Sequence, residues 1–242
     1  MEEPLDVLAI MAHPDDAELL CGGSLAKSSS EGQRVGILDL TQGEKGSYGT
    51  KDIRAQESLD SSAILGLAVR RNAELTDSSL INDLKAKAVV VELIRELRPR
   101  AVITHSMEGR HPDHRNAAQL VYDACFLSGI KNYSAKGKVH RPQSVIHSLL
   151  FREELKKPTF VLDITEHIDT KLRAIECFKS QFLGKKSAGE VFPGGDRTLI
   201  EQVRTHCALH GSRIRTEYGE PFWTRETVQM PSFIHTFFPS AF

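Results

Sequence analysis

Two short strings in this 242-residue chain carry the residue types of a hydrolytic metal site. The first, Ala12-His13-Pro14-Asp15-Asp16-Ala17-Glu18, joins one imidazole to a cluster of acids. The second, His111-Pro112-Asp113-His114, adds two imidazoles and another carboxylate. A catalytic zinc ion takes three protein ligands and keeps an open position for water. The ion lowers the pKa of that water to about 7, and a nearby carboxylate takes its proton as the water attacks a carbonyl. Asp15 and Asp16 are adjacent, so one can ligate while the other serves as base. His111 and His114 stand three apart, so one can ligate while the other donates to a developing oxyanion. Asp113 can orient an imidazole by accepting from its second nitrogen.

These residues need a scaffold that brings them together. Residues 5–11 read as a buried parallel-type strand, short, continuously apolar and ended by the turn-forming His-Pro-Asp. A helix over 17–29 follows, with Asp15 or Asp16 as its cap and Gly32 closing it. Next come a strand at 34–41, a Gly-rich loop at 42–50, a helix at 52–65 and a strand at 67–75. The run 83–97 is a strong helix pattern stopped before Pro99, residues 101–105 form another strand, and helical spacing resumes over 115–127. This alternation predicts an α/β fold, a Rossmann-like three-layer α/β/α arrangement with a mostly parallel sheet. In such sheets the crevice lies at the carboxyl ends of the strands. Both strings occupy that position, which places His13, Asp15, Asp16, His111 and His114 on one rim.

Beyond residue 131 the pattern loosens. Strands are expected at 144–151 and 159–164, an amphipathic helix at 165–182, a Gly- and Lys-rich loop at 183–195 and a helix at 197–212. The tail from Glu217 is aromatic and Pro-rich, without a period. No repeat or linker marks a second domain, so residues 1–242 read as a single domain.

Composition narrows the function classes. With 40% hydrophobic and 26% charged residues the chain is an ordinary soluble type. A net charge of −1, with no basic stretch interleaved with aromatics, argues against nucleic acid as a partner. The N-terminal apolar run is too short to span a bilayer and is flanked by acids, which predicts a cytoplasmic protein without a membrane partner. Four scattered cysteines, without C-x-x-C spacing, predict reduced thiols.

Each site residue also has a plainer reading. Asp15 or Asp16 can be a helix cap, His13 a satisfied polar group at a strand end, and His111 and His114 exposed loop residues. His105, at the end of a strand, reads as structural. What favours a metal site is the coincidence of two His/Asp clusters at crevice-forming ends of one sheet. The competing class is a nucleotide-binding Rossmann module. It lacks G-x-G-x-x-G after the first strand, and Asp15, Asp16 and Glu18 would repel a pyrophosphate. A G-x-S-x-G elbow is absent, which leaves a serine hydrolase unsupported. A metal-binding module without catalysis is the remaining alternative.

The paired strings resemble the N-acetylglucosamine deacetylase superfamily usually called PIG-L/LmbE. The likeness extends through 39–44 (Asp-Leu-Thr-Gln-Gly-Glu), 46–50 (Gly-Ser-Tyr-Gly-Thr), Arg54, Arg110, 140–142 (His-Arg-Pro) and 179–182 (Lys-Ser-Gln-Phe). It is nearest to the bacillithiol-biosynthesis branch, which removes acetyl from N-acetylglucosaminyl-malate; deacetylases of chitobiose or of mycothiol-type conjugates are the alternatives. The resemblance implies zinc (Zn2+) held by His13, Asp16 and His114. It implies Asp15 as general base, and His111 at the oxyanion with Asp113 behind it. Arg54, Arg110 and Glu44 become candidate substrate contacts, since a guanidinium suits a carboxylate. It further implies a small N-acetylated amino-sugar as the partner and a homo-oligomer, hexamer or trimer. Tyr218 is a candidate for the tyrosine that some relatives place near the oxyanion. The tail 217–242 departs from the branch in its length and aromatic content.

Overall fold

A computed structural model describes residues 3–149, 156–182 and 197–229. The loop expected at 183–195 and the tail from residue 230 lie outside the described residues. In chain order the described elements are β1 (Val7–Met11), α1 (Asp16–Ser30), β2 (Val35–Thr41), α2 (Lys51–Leu65), β3 (Val69–Leu75), α3 (Leu84–Leu97), β4 (Ala101–Thr104) and α4 (Pro112–Ser128). There follow β5 (Ser144–Ser148), β6 (Phe160–Asp163), a single 3-10 turn (Thr165–His167), α5 (Ile168–Glu176), α6 (Lys179–Phe182), α7 (Leu199–Arg213) and β7 (Gly219–Thr224).

Side-chain alternation along β1 explains the three layers. Leu8 and Ile10 join the cluster formed with α3 and α4, including Val90, Val91, Ile94, Ala117 and Val121. Ala9 and Met11 point the other way, into a cluster with Leu20 and Leu25 of α1 and Leu65 of α2. A strand buried on both faces reads as a continuous apolar run, which is how β1 looks in the sequence. The expected Rossmann-like α/β/α fold is the one observed.

The sheet order is β3-β2-β1-β4-β5-β7-β6. β1 pairs in parallel with β2 on one side and with β4 on the other. The chain therefore grows outward from β1 to β3, then returns to start again at β4. The gap between the ends of β1 and β4 is the topological switch point, where such sheets form their crevice.

Two elements differ from expectation. The tail read as aperiodic supplies β7, which lies antiparallel between β5 and β6. Gly219-Glu220-Pro221 disguises the strand, because a buried acid and a residue without an N–H argue against a central strand. The Glu220 carboxylate is satisfied from outside the sheet. α1 breaks at Cys21 (φ −142°, ψ 15°), which frees backbone amides within the helix. Glu220 accepts from the amides of Gly23 (2.9 Å) and Ser24 (2.7 Å), from the Ser24 hydroxyl (2.5 Å) and from Lys171 Nζ (2.6 Å). A Cβ on Gly23 would lie 2.6 Å from the Ile164 side chain, so only glycine lets α1 approach this closely.

The helix expected over 165–182 is divided into a 3-10 turn, α5 and the short α6. Phe178 turns inward to full burial, and Glu57 of α2 accepts from the Ser180 amide (2.6 Å) and hydroxyl (2.8 Å). These tertiary partners replace continued helical bonding at the break.

Candidate active site

β1 delivers His13 to the switch point on a tightly pinned backbone. The Ala12 amide donates to His105 Nε2 (2.9 Å), and the Ala12 carbonyl accepts from the Thr41 amide (3.0 Å) and hydroxyl (2.9 Å). The chain then turns into α1 through Asp15, which has a left-handed φ of +108°. A non-glycine residue in that region is strained, and such strain persists where surrounding contacts over-determine it. Asp15 stands at the N-cap position of α1 without capping it. Asp16 instead accepts from the His13 amide at 2.8 Å, so the expected helix cap is replaced by a local turn.

At this turn two neighbouring carboxylates take different partners. Asp16 faces inward: its Oδ2 lies 3.1 Å from His13 Nδ1, and its Oδ1 lies 3.2 Å from His114 Nε2. The donor atoms of His13, Asp16 and His114 all fall within 4.8 Å of one another. Asp15 faces sideways, with Oδ2 accepting from Arg54 NH2 at 3.0 Å. Burial pushes the Asp15 carboxyl up to about 7, against the pull of the Arg54 guanidinium. Burial works in the same direction on Asp16, yet the adjacent His114 helps hold it well below the ordinary carboxylate range. Adjacent acids thus acquire different protonation behaviour.

α4 begins earlier than the expected 115, because Pro112 fits the first helical position and His111 caps the helix. His111 Nδ1 accepts from the Asp113 amide (3.2 Å), which leaves the proton of its neutral form on Nε2. Burial and the neighbouring His114 lower its pKa to about 4. The ring stacks against His114 at 4.5 Å between centroids, and His105 stacks on the same His114 ring at 4.1 Å. His105 is fully buried, and its Nε2 both accepts from the Ala12 amide and lies 3.3 Å from Asp16 Oδ2.

Several expected roles look different once the side chains are placed. Asp113 meets His111 through its backbone amide, which donates to His111 Nδ1, while its carboxylate turns to His13. Its Oδ2 lies 3.4 Å from His13 Nε2 and its Oδ1 accepts from the Leu80 amide (3.3 Å). Arg54 is not open for substrate: it is 4% exposed and donates to the carbonyls of Pro14 and Gly43 as well as to Asp15. Gly43, at φ +64°, leaves room for that guanidinium, which a Cβ would strike. Glu44 is exposed, but one of its oxygens accepts from the Asp77 amide at 2.9 Å. Arg110 is exposed on the rim beside His111. Tyr218 packs against the α5–α7 cluster, and its hydroxyl accepts from Arg204 (3.3 Å). Glu18, the last acid of the first string, turns away to Arg70 and Ser61.

Sequence reasoning missed Asp77. It lies at the carboxyl end of β3, and its Oδ1 is 3.2 Å from His13 Nε2. A lone acid in Thr76-Asp77-Ser78-Ser79 reads as a turn residue, and its position on the same rim was the available signal.

The family described as PIG-L, GlcNAc-PI de-N-acetylase, matches residues 8–125. A diacetylchitobiose deacetylase of Thermococcus kodakarensis is 31% identical over 192 residues, spanning 73% of this chain and 70% of the relative. A probable N-acetyl-α-D-glucosaminyl L-malate deacetylase 2 of Bacillus cereus is 29% identical over 192 residues, spanning 72% and 83%. A 4-oxalmesaconate hydratase of Pseudomonas putida also matches, at 25% identity over 198 residues, spanning 72% and 73%. The crystal structure of a conserved protein from Thermus thermophilus aligns with a TM-score of 0.84 and 33% identity, covering 94% of this chain and 98% of that one.

Proposed function

Because this chain belongs to the PIG-L family of GlcNAc-PI de-N-acetylase, we propose that it hydrolyses the N-acetyl amide of a GlcNAc-type substrate to acetate and free amine. N-acetyl-α-D-glucosaminyl-L-malate is the substrate this reading favours, supported by the motif set and by the Bacillus cereus relative. The observation that carries the reading is the convergence of His13, Asp16 and His114 beside a separately held Asp15. Two imidazole nitrogens and one carboxylate oxygen suit zinc and leave room for a further ligand. His13, Asp16 and His114 would hold the ion, which supplies Lewis acidity and an acidified water.

The chain's own groups do the rest. Arg54 fixes Asp15 through Oδ2, so Oδ1 takes the proton of the attacking water and returns it to the departing amine nitrogen. Burial raises this carboxyl above the ordinary carboxylate range, which makes it a better proton acceptor. His111, with Nδ1 engaged by a backbone amide, presents Nε2–H to the carbonyl oxygen as negative charge builds there. Arg110 on the rim meets the malyl carboxylate. Residues 1–242 act as one domain in the cytoplasm, as a homo-oligomer without nucleic-acid or membrane partners.

An activity panel tests this reading. Zinc-loaded protein is offered N-acetylglucosaminyl-malate, N-acetylglucosamine, diacetylchitobiose and a mycothiol-type pseudo-disaccharide, and acetate is measured. The malate conjugate is expected to release acetate fastest. Absence of acetate from all four, by protein that retains zinc, would reject the deacetylase reading.

A further inference from the structure

We propose that Asp77 is a positioning residue of the metal centre, acting with Asp113 to hold the proton of His13 on Nε2 so that Nδ1 is free to ligate. The inference rests on the metal-site reading above and extends it to a residue that no motif marks. Three observations carry it. His13 Nδ1 is the ring nitrogen on the Asp16 side, at 3.1 Å, whereas Nε2 points to the opposite wall. On that wall stand two carboxylates, Asp77 Oδ1 at 3.2 Å and Asp113 Oδ2 at 3.4 Å. Each carboxylate is fixed through its other oxygen by a backbone amide, Lys45 on Asp77 (2.9 Å) and Leu80 on Asp113 (3.3 Å).

Carboxylates can only accept from Nε2, so the proton stays there and the lone pair is left at Nδ1. A carboxylate behind a ligating imidazole also makes it a more basic donor. The two acids differ in what they connect. Asp113 belongs to the helix that carries His114, so it couples the two histidine ligands. Asp77 connects His13 to the Gly-rich loop, through the Lys45 amide and through Glu44, which accepts from the Asp77 amide. Asp77 is 4% exposed, which leaves it facing His13 rather than solvent.

The test compares wild type, Asp77→Asn, Asp113→Asn and the double variant, with Ser79→Ala as a loop control. Zinc affinity is read by competition with a chromophoric chelator, and the His13 tautomer by imidazole nitrogen NMR of the zinc-loaded protein. Asp77→Asn is expected to weaken zinc binding about tenfold. The double variant should lose more than the product of the single effects, because each acid covers for the other. With zinc saturating, KM should stay near the wild-type value while kcat falls. Unchanged zinc affinity in Asp77→Asn, or a raised KM alone, would overturn the inference by making Asp77 a substrate contact or a loop anchor. A His13 proton on Nδ1 in the loaded wild type would overturn it as well. Wild type that binds no zinc rejects the metal-site reading itself, so the two failures are distinguishable.

Discussion

Two buried carboxylates, Asp16 and Glu220, meet α1 at different points along its length and do different work. Glu220 is surrounded by donors: two amides, one hydroxyl and the Lys171 ammonium, all within 2.9 Å. Every contact the acid receives is one that a carboxylate satisfies by itself. Asp16 is met mainly by imidazole nitrogens, His13 Nδ1 and His114 Nε2, atoms that can ligate a cation together with its own oxygens once the rings are neutral. Converging donors make a structural cap; converging acceptors make a cation site. That distinction separates the functional acid from the structural one, since burial is similar for both.

The sharpest way to break the comparison is to exchange the consequences. His13→Ala and His114→Ala should lose zinc and, with it, nearly all acetate release, while the metal-free protein keeps its thermal stability. Elemental analysis with calorimetry checks both halves, and undiminished zinc in both variants would contradict the ligand set. Lys171→Ala should do the reverse. It leaves the buried Glu220 charge unpaired, at a cost of about 3–5 kcal/mol by denaturant titration, with zinc affinity unaltered. Loss of zinc from folded Lys171→Ala would merge the two regions into one network.

Smaller effects sharpen the site side. His111→Ala should lower kcat about 10²–10³-fold at saturating zinc, as expected for one lost oxyanion donor. Arg54→Lys should slow the malate conjugate and plain N-acetylglucosamine by the same factor, because Arg54 acts through Asp15. Arg110→Ala should slow only the malate conjugate, by about tenfold, a loss of roughly 1.4 kcal/mol. Steady-state kinetics on the two substrates separates the two arginines, and a uniform loss in Arg110→Ala would assign it a structural role.

How far the sequence was legible follows from the same physics. β1 and the ends of β1 and β4 could be read directly, because a doubly buried strand is an uninterrupted apolar run and His-Pro-Asp stops it. The sheet core and the rim placement of His13, Asp16, His111 and His114 followed from that alternation. β7 was not legible, since Glu220 and Pro221 are tolerated there only because α1 breaks at Cys21 and offers its amides. Arg54 looked like a substrate contact because its type suits one, whereas its orientation depends on the φ of Asp15 and the gap left by Gly43. Asp77 and the partner of Asp113 were hidden for a related reason. Which imidazole face a carboxylate meets is set by packing between loops far apart in the chain.

The central claim is that Asp15 and Asp16, adjacent in sequence, divide into a base and a ligand. Acetate release from N-acetylglucosaminyl-malate by zinc-loaded wild type and Asp15→Asn tests it most directly, with zinc content measured on the same samples. Equal zinc in both and a rate lower by about 10²–10⁴-fold in Asp15→Asn are expected. Equal rates at equal zinc would contradict the claim.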